Sequence, residues 1–408
     1  MRILNVTQSY APFYEFGGPP AKVEALSNGL AKRGHQVTVL TADWGYEKRH
    51  AKDGGAVGKR GAFGWVGDAN GVNSVYLPTW LHYRAASWNP AATGYCNENL
   101  DRVEIVHIFG LYDLLGPTVA AACRKRGIPY VVEPIGMFVP IVRNIFLKRM
   151  YHTLLGKRMI SGAAAIIATA EQEVQELAAG GIPRDKIVLR RNGVAAPRVL
   201  PARGNFRAEF GISGEAHLVL FLGRLSEKKS PHLLLEAFAG LPAAIDGRAV
   251  WLVFAGPDES GMTQRLQESA RRSGVQERVI FSGAIFPMRK WAAYRDADVF
   301  VLPSQNENFG NTAAEAAACG TPVVITENCG VAPLLAGTAG LVVPHETAAV
   351  ARAVQQVLTE PGLRARLSEG GKSAAGRLSW DQPVSDMESI YRELAARRPV
   401  VGQFAGQA

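Results

Sequence analysis

Apolar residues arrive in this chain as short, β-branched-rich runs separated by amphipathic stretches of helical length. RILNVT (2–7) is the first run. The loop QSYAPFYEFGGPPAKV leads into a predicted helix from Ala21 to Lys32, which stops at Arg33-Gly34 before a second run in GHQVTVLTAD. That is one strand–helix–strand unit. The alternation continues through IVHIFG (105–110), a helix from Pro117 to Arg126, IPYVVEPIGMF with Glu133 and Gly136 at its end, AAAIIAT, a helix from Glu171 to Ala179, and KIVLRRNGV. Two stretches depart from it. Residues 44–75 are Gly-rich and show no periodicity, so they read as an irregular loop. Residues 76–89 (YLPTWLHYRAASWN) are rich in aromatics, which fits either an acceptor-side segment or ordinary packing.

VAAPRVLPARGNF (194–206) has Pro, Gly and no apolar period, the marks of a linker, and a short helical turn is expected over 207–212. Beyond it the alternation restarts with HLVLFLGRL. A helix from Ser230 to Phe238 follows, with Ser230 as N-cap and Pro231 at its first position. AVWLVFAG, a helix from Thr263 to Ser273, RVIFSGAI, a helix from Pro287 to Asp296, and VFVLP come next. GLVVP (340–344) is a late strand, and helices are expected over 348–358, 362–377 and 383–397. A chain of 408 residues is too long for one ordinary core. The two runs of alternation predict two doubly wound α/β domains facing a cleft: 1–195, a linker over 196–212, and 213–380, with 381–408 as a final helix and tail.

Pro303 to Val324 (PSQNENFGNTAAEAAACGTPVV) has the most informative pattern. A strand, VFVLP, precedes a polar loop with one glycine. An alanine-rich helix from Thr312 to Cys319 stops at Gly320, and PVVIT is again a strand. In a parallel sheet, the loop after a strand's C-terminal end is where ligands sit, and a helix N-terminus there offers free N–H groups to an anion. Glu307 in the loop and Glu315 in the helix add two carboxylates beside that anion site. A ligand with both phosphates and hydroxyls, such as a nucleotide sugar, suits the combination. Two further features follow strands in the same half. GRLSEKKS carries Gly223, Arg224 and Lys229, cations beside a helix end that suit a diphosphate; alone, they also fit a solvated basic turn. FSG (281–283) offers backbone to a nucleobase edge.

Composition is that of a globular protein, 47% hydrophobic and 20% charged. The absence of an apolar window of about 18 residues predicts no transmembrane helix, and MRILNVTQSY lacks a signal-peptide core. Cys96, Cys123, Cys319 and Cys329 show no metal spacing and read as reduced thiols, so a cytoplasmic location is expected. A net charge of +9 suits anionic substrates or an anionic membrane surface. No basic-aromatic array points to nucleic acid. Residues 138–160 alternate apolar residues with Arg143, Lys148, Arg149, Lys157 and Arg158. This is a basic amphipathic helix or helix pair, either a solvated face over a core stripe or a contact for an acceptor phosphate or for anionic lipid on the inner face of the membrane. Gly17-Gly18 is either a tight turn or a place where a substrate meets backbone. Asp296-Ala297-Asp298 resembles a metal-binding D-x-D, but it ends a helix and opens a strand, and no metal is expected.

Taken together and in order, these motifs resemble the retaining glycosyltransferases of family 4, over nearly the whole chain. They are the GG loop, RGHQVTVLTA, EPIGMF, IIATAEQE, RRNGV, GRLSEKKS, FSGAI and the E-x7-E of Glu307 and Glu315. The resemblance implies the GT-B fold, two Rossmann-like domains facing a cleft with the last helix crossing back to the first. It also implies transfer of a sugar, with retention, from a UDP- or GDP-sugar to a saccharide or lipid-linked acceptor, without cofactor or metal. On that basis Arg224 and Lys229 would hold the donor diphosphate, Glu307 the sugar hydroxyls and Glu315 the ribose hydroxyls. Asn308, Phe309 and Gly310 would lie against sugar and phosphate, Gly18 would approach the diphosphate beside Gly223, and Ile285 would border the base. The chain departs from its relatives at Ile135-Gly136, where many carry His-Gly, at Ser230, where Gly is usual, and at Pro333-Leu334, where Pro-Glu is expected. His107 is a substitute for the missing histidine or a satisfied core residue. A same-fold epimerase and a catalytically weakened binding protein are the rival readings.

Overall fold

The computed structural model describes residues 1–45, 58–83, 86–139, 145–197, 199–259, 261–285 and 288–397. Residues 46–57, Arg143, Pro287 and the tail past 397 lie outside the described residues. The chain divides into two compact units, one of residues 1–191 with the segment from Trp380 onward, the other Asn192–Ser379.

In the first unit the strands are β1 (Arg2–Thr7), β2 (Gln36–Ala42), β3 (Lys59–Gly61), β4 (Gly64–Ala69), β5 (Val72–Leu77), β6 (Leu81–Tyr83), β7 (Ala86–Trp88), β8 (Ile105–Phe109), β9 (Tyr130–Glu133), β10 (Ala165–Ala168) and β11 (Ile187–Leu189). The main sheet runs β11-β10-β9-β8-β1-β2-β5-β4-β3. Neighbours from β11 to β5 are parallel, while β4 and β3 add an antiparallel edge. Taking β1, β2, β5, β8, β9 and β10 in turn gives the Rossmann order 3-2-1-4-5-6. Adjacent residues of one strand serve opposite faces. Leu4, Val106, Val132 and Ile166 enter one core, and Ile3, Ile105, Val131 and Ile167 the other. That is the two-sided burial expected of a covered parallel sheet.

The irregular loop expected over 44–75 is corrected at its C-terminal end, where β3, β4 and most of β5 occupy 59–75. β3 and β4 are exposed or half-buried edge strands with glycine and charge in them, so they lack the apolar alternation that would mark them. The aromatic stretch forms the β6–β7 hairpin, with Trp80 and Trp88 edge-on at 5.9 Å. The basic segment forms one helical run: Ile145–Tyr151, a wider π-type turn over His152–Gly156, and Lys157–Ser161. Met159 and Ile160 are buried, whereas Phe146 is 78% exposed.

The last helix, Asp381–Ala396, belongs to this first unit and packs on the first helix, Gly18–Lys32. Gly29 makes room for it, because a Cβ there would lie 2.4 Å from Val384 Cγ2. Met387 and Tyr391 are fully buried. Glu388 accepts from Arg33 Nη1 at 2.9 Å and lies 2.9 Å from His35 Nε2.

The second unit contains β12 (His217–Leu222), β13 (Ala244–Ile245), β14 (Arg248–Ala255), β15 (Val279–Gly283), β16 (Val299–Leu302), β17 (Val323–Thr326) and β18 (Gly340–Val343). Its order is β13-β14-β12-β16-β17-β18, with β15 also on β14. With β12 as first strand this is again 3-2-1-4-5-6. The strands are near-continuous apolar runs and form one core with the helices on both faces. All four cysteines are buried free thiols. Ser230 does stand at the N-cap of helix Pro231–Ala239, but the expected side-chain cap is corrected. At φ 48° its hydroxyl turns back to the Glu227 carbonyl at 3.3 Å and meets His345 Nε2 at 2.9 Å. Asp296 and Asp298 clamp the linker. Asp296 accepts from the backbone of Gly204, Phe206 and Arg207, and Asp298 from Leu218 N and Arg207 Nη2.

Candidate functional site

β12 and β16 are neighbours, yet the chain leaves β12 toward β14 and leaves β16 toward β17. The loops after their C-terminal ends therefore diverge, and such a switch point leaves a crevice. Both loops carry the polar residues singled out above. After β12 come Gly223, Arg224 and the 3-10 turn Glu227–Lys229. After β16 comes 303–310. The Lys228 carbonyl accepts from Gln305 N at 3.0 Å, tying the loops together by backbone. Above that bond Lys229 Nζ donates to Glu307 Oε2 at 2.6 Å, and both side chains stay about one-fifth exposed, at 19% and 20%.

This pair is charged and open. Burial alone would raise the Glu307 pKa, but the Lys229 ammonium, with help from Lys228 and the Ser304 hydroxyl, outweighs it and holds the carboxyl below its ordinary value. The loop is fixed from behind. Glu307 N donates to Asn328 O at 2.9 Å, Gly330 N to Glu307 O at 3.0 Å, and Val331 N to Phe309 O at 2.7 Å. Phe309 is buried and anchors the turn. Gly310, at φ 94°, is the N-cap of helix Asn311–Ala318, whose first N–H groups have no acceptor within the helix. Asn308, half-buried, stands between Glu307 and that helix end.

Across the sheet end the strands close on glycines: Gly223 after β12, Gly256 after β14, and Gly283 ending β15. Gly223 N donates to Ala255 O and Gly256 N to Gly283 O, each at 2.8 Å. A Cβ on Gly256 would lie 1.9 Å from the Gly223 carbonyl oxygen, so no side chain fits. Over Gly223 lies the Lys229 side chain, with its Cδ 3.3 Å from where a Cβ would be. The absence of side chains here leaves a floor of backbone beside a cation.

Gly223, Lys229, Glu307, Asn308, Phe309 and Gly310 thus come together. The other predicted residues are placed differently. Arg224 is half-exposed and pairs loosely with Glu259, at 3.9 Å. Glu315 accepts from Lys290 Nζ at 2.7 Å and from the buried Tyr294 hydroxyl at 2.9 Å, so it joins its own helix to Met288–Asp296. Burial and the Glu315 charge keep Tyr294 protonated as that donor. Ile285 packs into the core of the unit. Gly18 is in the other unit, the first residue of its first helix, after Gly17 at φ 101°. Lys228 and Ser304 were missed; the doubled lysine in GRLSEKKS was the available signal for the first.

The first unit holds a second charged group at the equivalent edge of its sheet. Glu133, ending β9, pairs with both Lys22 and Arg190, and all three are fully buried. His107 on β8 lies 3.5 Å from Glu133 through Nε2 and 2.6 Å from the Tyr391 hydroxyl through Nδ1. Burial, then Arg190 and Lys22, push His107 far below its ordinary pKa, so it is neutral. Burial keeps the Tyr391 hydroxyl protonated, so Tyr391 donates to Nδ1 and Nε2–H faces Glu133. His107 is a fully buried core residue held through Nδ1 by Tyr391, and its Nε2 has no hydrogen-bond partner among the described residues. Nearby, Ile135 holds φ 55°, an uncommon and strained value for a β-branched residue. The next N–H, of Gly136, is fixed by Glu173 at 2.7 Å, which also accepts from Thr169 N at 2.8 Å. Glu173 was missed, and nothing in its spacing marks it.

Comparison with known proteins places these features. A model of the glycosyl transferases of group 1 matches residues 202–374, and a glycosyl transferase 4-like domain matches residues 17–193. The D-inositol 3-phosphate glycosyltransferase of Streptomyces bingchenggensis is 36% identical over 251 residues, 59% of this chain and 55% of the relative. That of Acidothermus cellulolyticus is 34% identical over 320 residues, 73% of this chain and 70% of the relative. The chain thus spans between about half and three-quarters of the length of the curated relatives it matches. Among solved structures, the sucrose-phosphate synthase of Thermosynechococcus elongatus superposes with a TM-score of 0.73 at 19% identity, covering 97% of this chain and 99% of that one. HepE of Anabaena, in complex with UDP and glucose, gives 0.74 at 17%, covering 97% and 100%. Two family models along the chain, relatives above 30% identity over most of their length, and a common fold lead to one conclusion: the chain belongs to the glycosyl transferases of group 1, family 4, with the GT-B fold.

Proposed function

We propose that this chain transfers a sugar, with retention, from a nucleotide diphosphate sugar to an acceptor hydroxyl in polysaccharide or glycolipid synthesis. The observation that carries this is the Lys229–Glu307 pair, half-open at the switch point over a glycine floor. In the reaction the bond from the anomeric carbon to the donor phosphate oxygen breaks, and its electron pair goes to the diphosphate. The acceptor oxygen bonds to the same face of that carbon, and its proton passes to the leaving phosphate. Lys229, with Arg224 swinging from its loose surface pair, offsets the charge that develops on the diphosphate. Glu307 accepts from sugar hydroxyls, the Asn308–Gly310 backbone and the helix end face sugar and phosphate, and Glu315 accepts from the ribose. These cations do the work a metal would otherwise do, so no metal or cofactor is needed.

UDP is the favoured nucleotide, because HepE was solved with UDP-glucose and a trehalose-phosphate synthase of the same fold is UDP-forming. A lipid-linked acceptor at the inner membrane face is favoured by the helical run 145–161. It exposes Phe146, Leu147, Met150 and Leu154 and carries Arg149, Lys157 and Arg158. Among the described residues no helix is long and apolar enough to cross a membrane.

The test is a panel of UDP-, GDP- and ADP-sugars, with and without membrane and saccharide acceptor extract, read by nucleotide release. Acceptor-dependent UDP release is expected, with Glu307→Ala about 100-fold slower or worse while the chain stays folded and loses no more than about 1 kcal/mol of stability. An epimerised sugar nucleotide formed without acceptor, or a Glu307→Ala rate equal to wild type, overturns the reading.

A further inference from the structure

A cavity of about 600 Å³ opens at the opposite, N-terminal edge of the second unit's sheet, among the residues that precede β12, β14, β16 and β17. Its wall carries Arg203, Arg207, Arg248, Arg295 and Arg364, against two carboxylates, Asp296 and Asp298. Both carboxylates are already engaged. Asp296 takes three backbone N–H groups, and Asp298 takes Leu218 N, Arg207 Nη2 and, at 3.6 Å, Arg364 Nη1. Arg207 is buried and spends its remaining donors on the carbonyls of Asp296, Ser213 and Ala216.

The other cations are not neutralised. Arg295 Nη1 donates to the carbonyls of Leu200 and Pro201, at 3.3 and 2.8 Å, and Arg248 Nε to the carbonyl of Glu215. A carbonyl satisfies a donor but does not cancel a charge. Among the described residues Arg203, Arg248 and Arg295 have no carboxylate within ion-pair distance. The helix Pro361–Ala374 adds its N-terminal turn, through Pro361, Arg364 and Ala365, and so the positive end of its dipole. A concave wall with this excess of planar, multidentate guanidinium groups matches a compact polyanion.

We propose that this cavity binds a phosphoryl group of a small molecule, at a second site distinct from the Lys229–Glu307 crevice at the other end of the same strands. Strands β12 and β16 carry both ends, so occupancy here would bear on the catalytic loops through a rigid element. The concave shape favours a free phosphorylated compound over a lipid headgroup in a flat bilayer.

The test is calorimetric titration of the full chain with inorganic pyrophosphate at constant ionic strength. It is done in the Lys229→Ala background, so that binding at the donor crevice does not contribute. One site per chain is expected. Arg203→Ala and, separately, Arg295→Gln should each weaken it about tenfold, as loss of one charge-assisted contact does. The Arg295→Gln protein keeps a donor for the Leu200 and Pro201 carbonyls, which guards against a folding defect; an unchanged melting temperature checks it. Absence of binding at millimolar pyrophosphate, an affinity in both arginine variants equal to that of the protein with both arginines intact, or binding to phosphatidylglycerol vesicles but not to pyrophosphate overturns the proposal. None of these outcomes depends on glycosyl transfer, so failure here leaves the proposed function standing.

Discussion

Lys22, Glu133 and Arg190 in the first unit and Lys229 and Glu307 in the second place the same chemical groups in opposite surroundings. The first set has no exposed side chain and is roofed by Trp380 and Tyr391 of the C-terminal segment, with the Arg190 guanidinium 5.7 Å from the Trp380 ring. Burial lowers even the Arg190 pKa, to about 10, which still leaves it charged. The second pair keeps a fifth of each side chain in solvent. A sealed cluster has no room for a ligand, so its role is to join β8, β9, the first helix and the last helix. An open pair over a glycine floor can exchange its internal partner for one that arrives. Charge and position at a strand's C-terminal end do not separate these roles; solvent access does.

The largest expected effect is at the sealed cluster. Glu133→Gln keeps the shape and removes the anion, leaving the buried Arg190 cation uncompensated beside Lys22, whose pKa burial and Arg190 already hold well below its ordinary value. Urea denaturation should show a loss of about 3–5 kcal/mol. The same change at the open pair, Glu307→Gln, should cost about 1 kcal/mol or less, because water can solvate what is left. Equal losses at both positions would erase the distinction between the regions.

How much of this was legible in the sequence follows from the same physics. The buried parallel strands announce themselves as apolar runs, and both Rossmann-type halves were readable. So were the glycine before each helix and Lys229 with Glu307, because those residues sit at fixed offsets from strand ends. Arg224 and Glu315 share those offsets, but their side chains turn to Glu259 and to Lys290 and Tyr294, and offset does not specify a rotamer. β3 and β4 were lost because an edge strand needs no apolar face. The sealed cluster was unreadable for another reason. Lys22, Glu133, Arg190 and Tyr391 are far apart in the chain, and each alone looks like an ordinary surface residue. The arginine cavity was hidden likewise, its residues spread from 203 to 364.

A smaller effect tests the roof of the sealed cluster. Tyr391→Phe removes the donor to His107 Nδ1 and leaves a buried acceptor unpaired. A loss of about 1–3 kcal/mol is expected. Limited proteolysis should then release the C-terminal helix before the rest of the first unit opens. An uncooperative helix release already present in the wild type would show that Tyr391 is no latch.

The finest distinction is pH dependence. The native Glu307 pKa lies below the ordinary carboxyl value of 4.5. A depressed native pKa means that the unfolded chain takes up the proton first as pH falls. The stability Glu307 contributes is therefore complete above about pH 5 and is lost as pH drops through 4.5 toward the native value. Urea midpoints of wild type and Glu307→Gln, measured from pH 6 to 3, should differ by a constant amount at the top of that range and converge at the bottom. The gap should also narrow in high salt, because the pair is partly exposed and so partly screened. A gap that persists at pH 3 would mean that Glu307 acts through packing and neutral hydrogen bonds, as a sealed residue would. Its pairing with Lys229 would then be no measure of how open the crevice is.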